Sequence, residues 1–224
     1  MAYILSLETA TDVCSVALSH ESEIISEEHI SDGMRHSSAL TTLIQNTLRS
    51  VALSPGDLDA IAISDGPGSY TGLRVGASTA KAMCYAQDIP LIAISTLEGI
   101  AHEYSVGQKP LLATLDARRM EVYGAIYQNN EVIEDIQSII WEKAYLEKLV
   151  EKFQQVMIAG TGVDKARDLF EPFGSIDYQE IECRASFLSI PAWEKYQVEG
   201  FVDIAYHSPN YFKMPNITVP KPKI

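Results

Sequence analysis

Basic residues are in short supply. Seventeen lysines and arginines stand against 30 aspartates and glutamates in 224 residues, a formal net charge of −13. A protein that grips nucleic acid unaided normally carries a basic face that displaces counterions from phosphates. Tight binding to bare nucleic acid is therefore not expected, despite the short "VPKPK" run near the C-terminus. If the chain works on nucleic acid, another subunit has to supply the grip. Cysteine is scarce as well. Cys14, Cys84 and Cys183 are odd in number and lack metal-like spacing, so they read as reduced core residues of a cytosolic protein.

Long apolar runs are missing: none approaches the roughly 18–20 residues of a membrane helix. The opening "MAYILSLETATDV" has no basic leader and turns polar at Ser6, which reads as a buried strand and not as a signal peptide. A cytoplasmic location is expected. Neither HExxH nor GxSxG occurs, and the histidines at 20, 29, 36, 102 and 207 are dispersed. No nucleophile constellation can be assembled, so peptidase activity is not expected.

What is present is an ordinary globular balance, 46% apolar and 21% charged, enough for one large domain or two small ones. Residues 3–8, 12–19 and 22–30 read as a three-strand meander. Residues 36–52 place Leu40, Leu43, Ile44, Leu48 and Val51 on one helical face, and "SPGD" ends that pattern. A strand at 59–64, a helix at 71–87, a strand at 90–94 and a helix at 96–104 complete the first half. The second half repeats the order, with strands at 111–116, 121–127 and 131–139, a helix at 140–153 and a strand at 155–159. A "GTG" turn and a short helix follow. After 172 the pattern blurs, apart from a helix around 192–198. Two similar α/β lobes are the natural reading.

Residues 66–74, "GPGSYTGLR", suggest a phosphate loop and then fail its tests. The loop has no lysine, as GxxxxGK[ST] requires, and the GxGxxG spacing misses by one. Gly66, Pro67 and Gly68 instead suit a tight turn, with Ser69 or Thr71 capping the next helix. Within that helix Gly72, Gly76 and Ala80 recur every four residues. A helical glycine costs about 1 kcal/mol against alanine, so something must approach this stripe closely. Two readings stand open: packing on its own sheet, or packing on a partner helix.

The stretches "ILSLETATDVCSVAL", "LDAIAISDGPGSYTGLRVGASTAKAM", "LIAISTLEGIA" and "DARRMEVYGAIY" resemble the bacterial TsaB (YeaZ) family. The resemblance is close from residue 3 to about 127, weak from there to 207, and returns in "SPNYFK", with Lys213 where the family tends to have arginine. Glu8 stands where the family usually has aspartate. The resemblance implies an actin-like, ribonuclease-H-like α/β fold of two similar lobes, residues 1–107 and a smaller, more diverged 108–224. It also implies a non-catalytic scaffold or activator subunit in making tRNA threonylcarbamoyladenosine. Its implied partners are the catalytic paralogue TsaD and the ATPase TsaE, with a homodimer when alone and tRNA met only through the complex.

The residues themselves bear on that role. At "STLEGIAH" the paralogue carries two histidines four apart, spacing suited to a metal. Here those positions are Thr96 and Ile100, and His102 lies off the spacing as a surface or helix-end residue. Actin-like ATPases hold phosphates between two meander turns, each with an acidic residue beside small ones. Glu8 in "ETATD" keeps that setting. Asp116 in "DARRME" is followed by Ala117, Arg118 and Arg119, and the two arginines would crowd a phosphate. Arg118 and Glu121 suggest a local ion pair or a partner contact. "MIAGTGVDK", with Gly160 and Gly162, reads as a structural turn or as a nucleotide turn.

Glu8, Asp116, Gly160 and Gly162 are thus the remnant cofactor candidates. No catalytic residue, metal or cofactor is expected in this chain, with metal and ATP belonging to its partners. The partner face implied by the resemblance is Leu40, Ile44, Leu48, Gly72, Val75, Gly76 and Ala80. Two other functions remain in view: an ATP-dependent phosphotransferase of the sugar-kinase type, and a direct tRNA binder.

Overall fold

The computed structural model describes residues 1–31, 36–105 and 107–212, and Lys213 and the "VPKPK" run lie outside them. Short alternating runs split by tight turns make the opening meander: β1 (Tyr3–Glu8), β2 (Cys14–His20) and β3 (Glu23–Ile30) pair antiparallel in turn. Helix α1 (His36–Ser50) crosses to β4 (Ala60–Gly66), which runs parallel to β1. Helix α2 (Tyr70–Gln87) crosses again to β5 (Leu91–Ser95), parallel to β4. Parallel neighbours need such crossovers. The first sheet has the order β3-β2-β1-β4-β5.

Helix α3 (Thr96–Tyr104) leads to a second meander, β6 (Leu111–Asp116), β7 (Glu121–Gln128) and β8 (Glu131–Ile140). Helix α4 (Lys143–Phe153), β9 (Val156–Gly160), the single turn α5 (Arg167–Phe170) and β10 (Ile176–Glu180) follow. The second sheet runs β10-β9-β6-β7-β8. In both sheets a three-strand meander is extended by two parallel strands on the side of its first strand. Strand β10 escapes the sequence pattern because it is an edge strand on which only Ile176 is buried. The helix expected over 36–52 stops at Ser50, since Ala52 takes a left-handed φ of 58°.

Helices α1 and α2 lie on one face of the first sheet. Leu40, Leu43, Ile44 and Leu48 of α1 join Ala77, Ala80 and Cys84 of α2 over Leu5, Leu7, Val16 and Ile63. Helix α3 packs between the sheets, where Leu97 and Ile100 meet Leu111, Ala113 and Ala125. After β10 the chain returns to the first sheet. Leu188 and then Ala192 and Trp193 of α6 (Ser189–Gln197) cover Ile4, Ala60, Ile92 and Ile94. The sequence division at 107/108 assigns this return to the second lobe, whereas its apolar side chains pack on the first. All three cysteines are free and buried. Among the described residues no helix is long and apolar enough to cross a membrane.

The glycine turn answers to the first hairpin. A Cβ on Gly68 would sit 2.5 Å from the Ala10 carbonyl oxygen, and one on Gly76 would sit 2.4 Å from Thr9 Oγ1. Ser69 N–H donates to the Ala10 carbonyl at 2.6 Å, and Ser69 Oγ caps α2 by accepting from Gly72 N–H at 3.2 Å. Gly76 therefore exists to let the β1–β2 turn seat on α2, which resolves that open choice in favour of packing inside the chain. Gly76→Ala should lower stability by about 1–3 kcal/mol, the usual cost of overpacking. Thr9→Ala should restore most of that loss in the double variant, since Thr9 Oγ1 is the atom in the way. Urea unfolding of the four-member cycle measures both effects, and purely additive losses would contradict the assignment.

Candidate functional site

The two meander turns and the turn after β9 are where an ATPase of this plan would hold its nucleotide. At the first turn Glu8 ends β1 with only 1% of its surface exposed. Its Oε1 accepts from Ala10 N–H at 2.6 Å and from Ser64 Oγ–H at 3.0 Å. Burial pushes its carboxyl from 4.5 up to about 7, against the lowering effect of those donors. The Cys14 and Cys183 thiols are raised by burial first and by the Glu8 charge second. Glu8 is thus turned inward, with bonds supplied by its own neighbourhood.

At the second turn Asp116 meets Lys165 Nζ at 2.6 Å and accepts from Arg118 N–H at the same distance. Lys165 also donates to the Glu121 carbonyl at 2.7 Å. Arg118 and Arg119 are both exposed, at left-handed φ angles of 75° and 54°. Such angles are costly for side chains with a Cβ, by about 1 kcal/mol or more. The tip is held by Ala117 N–H on the Glu121 carbonyl at 3.0 Å and by Glu121 N–H on the Arg118 carbonyl at 3.1 Å.

The turn after β9 is also filled. Glu180, at the end of β10, accepts from Gly162 N–H at 2.9 Å, Val163 N–H at 2.6 Å and Asp164 N–H at 2.7 Å. Successive N–H groups converging on one anion form the nest that phosphate sites use; here a carboxylate of the same chain fills it. Gly160 and Gly162 have steric reasons to be glycine. A Cβ on Gly160 would fall 1.9 Å from the Thr114 carbonyl oxygen, and one on Gly162 would fall 3.1 Å from Asp116 Cβ.

The structure therefore gathers Asp116, Gly160 and Gly162 at one end of the second sheet, and places Glu8 in the first. Lys165 and Glu180 were missed in the sequence. Their only signal is an opposite charge to Asp116 for one and a lone acid 18 residues past the glycine for the other.

Thr96 and Ile100 are 1% and 0% exposed. Ile100 belongs to the packing between α3 and the second sheet. His102 is in the last turn of α3, as a helix-end residue, but it is not on the surface. Its side chain is 7% exposed, with Nε2 3.8 Å from Glu194.

The residues expected at a partner face lie largely inside the chain. Leu40, Ile44 and Leu48 are 0%, 5% and 3% exposed, Ala80 is 0%, Gly72 and Gly76 are buried, and Val75 is half-buried against the same core. An apolar stripe on a helix that covers a sheet faces that sheet first, so these side chains are core. What α1 and α2 turn outward is a different set except for Ile44, a core residue whose side chain also lines the groove. A groove of about 590 Å³ runs between them, lined by Thr41, Ile44 and Gln45 with Ser78, Ala82 and Ala86 among others. Ala82 and Ala86 are exposed.

The family model described as "TsaD: tRNA N6-adenosine threonylcarbamoyltransferase" matches residues 23–213. The chain is 31% identical over 172 residues to the tRNA threonylcarbamoyladenosine biosynthesis protein TsaB of Bacillus subtilis, covering 75% of each chain. The structure of YeaZ from Pseudomonas aeruginosa superposes with a TM-score of 0.74 at 24% identity, over 94% of this chain and all of that one. Component A of the Acidaminococcus fermentans (R)-2-hydroxyglutaryl-CoA dehydratase superposes at 0.56 with 9% identity, over 88% of this chain and 100% of that one. Together with the doubled sheet plan, these neighbours give the fold as that of the actin-like ATPases.

Glu8 provides a test with a definite sign. Folding lifts its carboxyl from 4.5 to about 7, so the folded state holds a proton that the unfolded state releases. Its contribution is fully present below the unfolded value and is lost as pH rises towards the folded one, by at most about 3 kcal/mol. Glu8→Gln should therefore stabilise the protein at about pH 8 and leave it nearly unchanged at about pH 4.5. Urea midpoints at the two pH values measure the difference. An equal effect at both would contradict the burial of a raised carboxyl.

Proposed function

This chain belongs to the TsaB (YeaZ) family, and on that premise we propose that it is a non-catalytic scaffold and activator subunit of the tRNA threonylcarbamoylating machinery. A role in tRNA threonylcarbamoyladenosine biosynthesis follows from the membership. The finer reading concerns how the chain takes part. It pairs with the catalytic paralogue TsaD, works alongside the ATPase TsaE, and meets tRNA through the complex. Metal and nucleotide chemistry belong to those partners.

The observation that carries this reading is the set of internal contacts at the places where a nucleotide would be held. Glu8 is buried, Asp116 is paired with Lys165, and three backbone N–H groups at the turn after β9 are taken by Glu180. A phosphate arriving at that last turn would have to displace a carboxylate from three donors. The buried Thr96 and Ile100 point the same way, because a methyl-bearing hydroxyl and an alkyl side chain offer a transition metal little or nothing. The net charge of −13 supports an indirect approach to tRNA.

Pairing is assigned to the outer face of α1 and α2. The groove there is apolar enough to favour association, and an uncovered apolar face also suits self-pairing of two copies through one surface. Because Ala82 and Ala86 are exposed, the face can be altered there without unfolding the lobe. Ala82→Arg should keep the unfolding midpoint within about 0.5 kcal/mol of the parent, as for other surface changes. The same variant should weaken binding to TsaD and to a second copy by roughly tenfold or more. Unchanged affinity would move the pairing face elsewhere.

Reconstitution tests the function itself. TsaD, TsaE, this chain, tRNA and the threonylcarbamoyl adenylate are combined, and each component is omitted in turn. Modification should stop without this chain and return when it is added back. Full modification in its absence would contradict the proposal, and steady ATP turnover by the isolated chain would favour a phosphotransferase instead.

A further inference from the structure

Residues 203–212 follow the return of the chain to the first sheet, and their partners there sit almost entirely on the β4–α2 unit. His207 Nε2 lies 2.9 Å from Asp65 Oδ1, with the two side chains 11% and 23% exposed. Lys81 Nζ donates to the His207 carbonyl, and Asn210 N–H donates to the Asp65 carbonyl at 2.8 Å. A Cβ on Gly66 would fall 2.5 Å from the Asn210 carbonyl oxygen, so that glycine lets the segment lie directly on the turn entering α2. The Tyr211 ring packs at a tilt against Tyr70, 4.7 Å between centroids, and its hydroxyl accepts from Arg74 Nε at 3.3 Å. The Arg74 guanidinium covers the Tyr70 ring at 4.1 Å. Phe212 then reaches Tyr123 of β7 at 5.2 Å.

The spacing on α2 gives these contacts their meaning. Tyr70, Arg74 and Lys81 fall on one narrow stripe of the helix at i, i+4 and i+11. Leu73, Gly76, Ala77, Ala80 and Cys84 occupy the stripe facing the sheet. Ser78, Ala82 and Ala86 line the outer groove. Helix α2 is therefore gripped on two sides, by the sheet and by the segment 203–212, and offers the third to solvent.

We infer that residues 203–212 are a clasp that seats α2, with His207 and Tyr211 as positioning residues for the outer face of that helix. The inference deepens the pairing role proposed above and rests on it for its functional consequence, while the seating of α2 can be read independently. Asp65 gives the clasp its fixed point. Burial raises its carboxyl and the nearby His207 acts against that rise, so removing the imidazole leaves a half-covered acid without its nearest partner. A clasp of this kind would make pairing sensitive to whatever loosens the C-terminal segment.

The test uses the full chain with His207→Ala, Tyr211→Ala and Tyr211→Phe, read by amide hydrogen exchange and by affinity for TsaD. His207→Ala and Tyr211→Ala should each speed exchange along Tyr70–Gln87, leave β6, β8 and β9 unchanged, and weaken pairing by roughly tenfold. Tyr211→Phe keeps the tilted ring contact, loses only the exposed bond from Arg74, and should stay close to the parent. If His207→Ala fails to fold, Tyr211→Ala carries the test, since it leaves the Asp65 contact in place. Faster exchange confined to 203–212, with α2 and pairing unchanged, would overturn the clasp. Ala82→Arg separates the two ideas. If that variant pairs normally, the pairing face is misassigned, and the clasp stands or falls on α2 exchange alone.

Discussion

The carboxylate of Glu180 across the N–H groups of Gly162, Val163 and Asp164 is the contact on which the functional account depends. Charge-assisted bonds to several donors are among the stronger hydrogen bonds a chain can make. Placed at this turn, they supply the nest with an anion from the same chain. The neighbouring Lys165–Asp116 pair does the same for the acid of the second meander. In both places the turn is held by side chains of the same chain. Fold alone says nothing of function, and these local contacts carry the argument that the sheet plan cannot.

The first sheet shows how a helix can serve two neighbours at once. Gly76 brings α2 against Thr9, and Gly68 brings its entry turn against Ala10. The same helix receives Tyr211 on Arg74 and Tyr70. A small residue facing inward and large ones along a flank divide α2 into surfaces with separate tasks. In that division the motif "GPGSYTGLR" fixes where α2 lies.

Most of the fold was legible because its elements are periodic. The apolar spacing of Leu40, Leu43, Ile44 and Leu48 gave α1, and "STLEGIAHEY" gave the limits of α3 as they stand. Periodicity alone does not choose a partner face, since a stripe that covers a sheet and a stripe that meets another protein look alike in one dimension. Strand β10 was not legible because an edge strand with one buried residue has no pattern. The site contacts were hidden for a different reason. Glu180 and Lys165 act through tertiary proximity, over 16–18 and 44–49 residues, and no local spacing announces such pairs. The return of Leu188, Ala192 and Trp193 to first-half strands was hidden for the same reason, since it rests on tertiary packing and not on local spacing.

The most direct measurement of the central claim is calorimetric titration of Mg-ATP into the isolated chain, up to about 1 mM, the upper end of ordinary substrate affinities. Self-filled turns predict no saturable heat. A one-to-one isotherm within that range would mean that Glu180 and Lys165 yield to a nucleotide, and the account of a subunit without its own nucleotide chemistry would be contradicted.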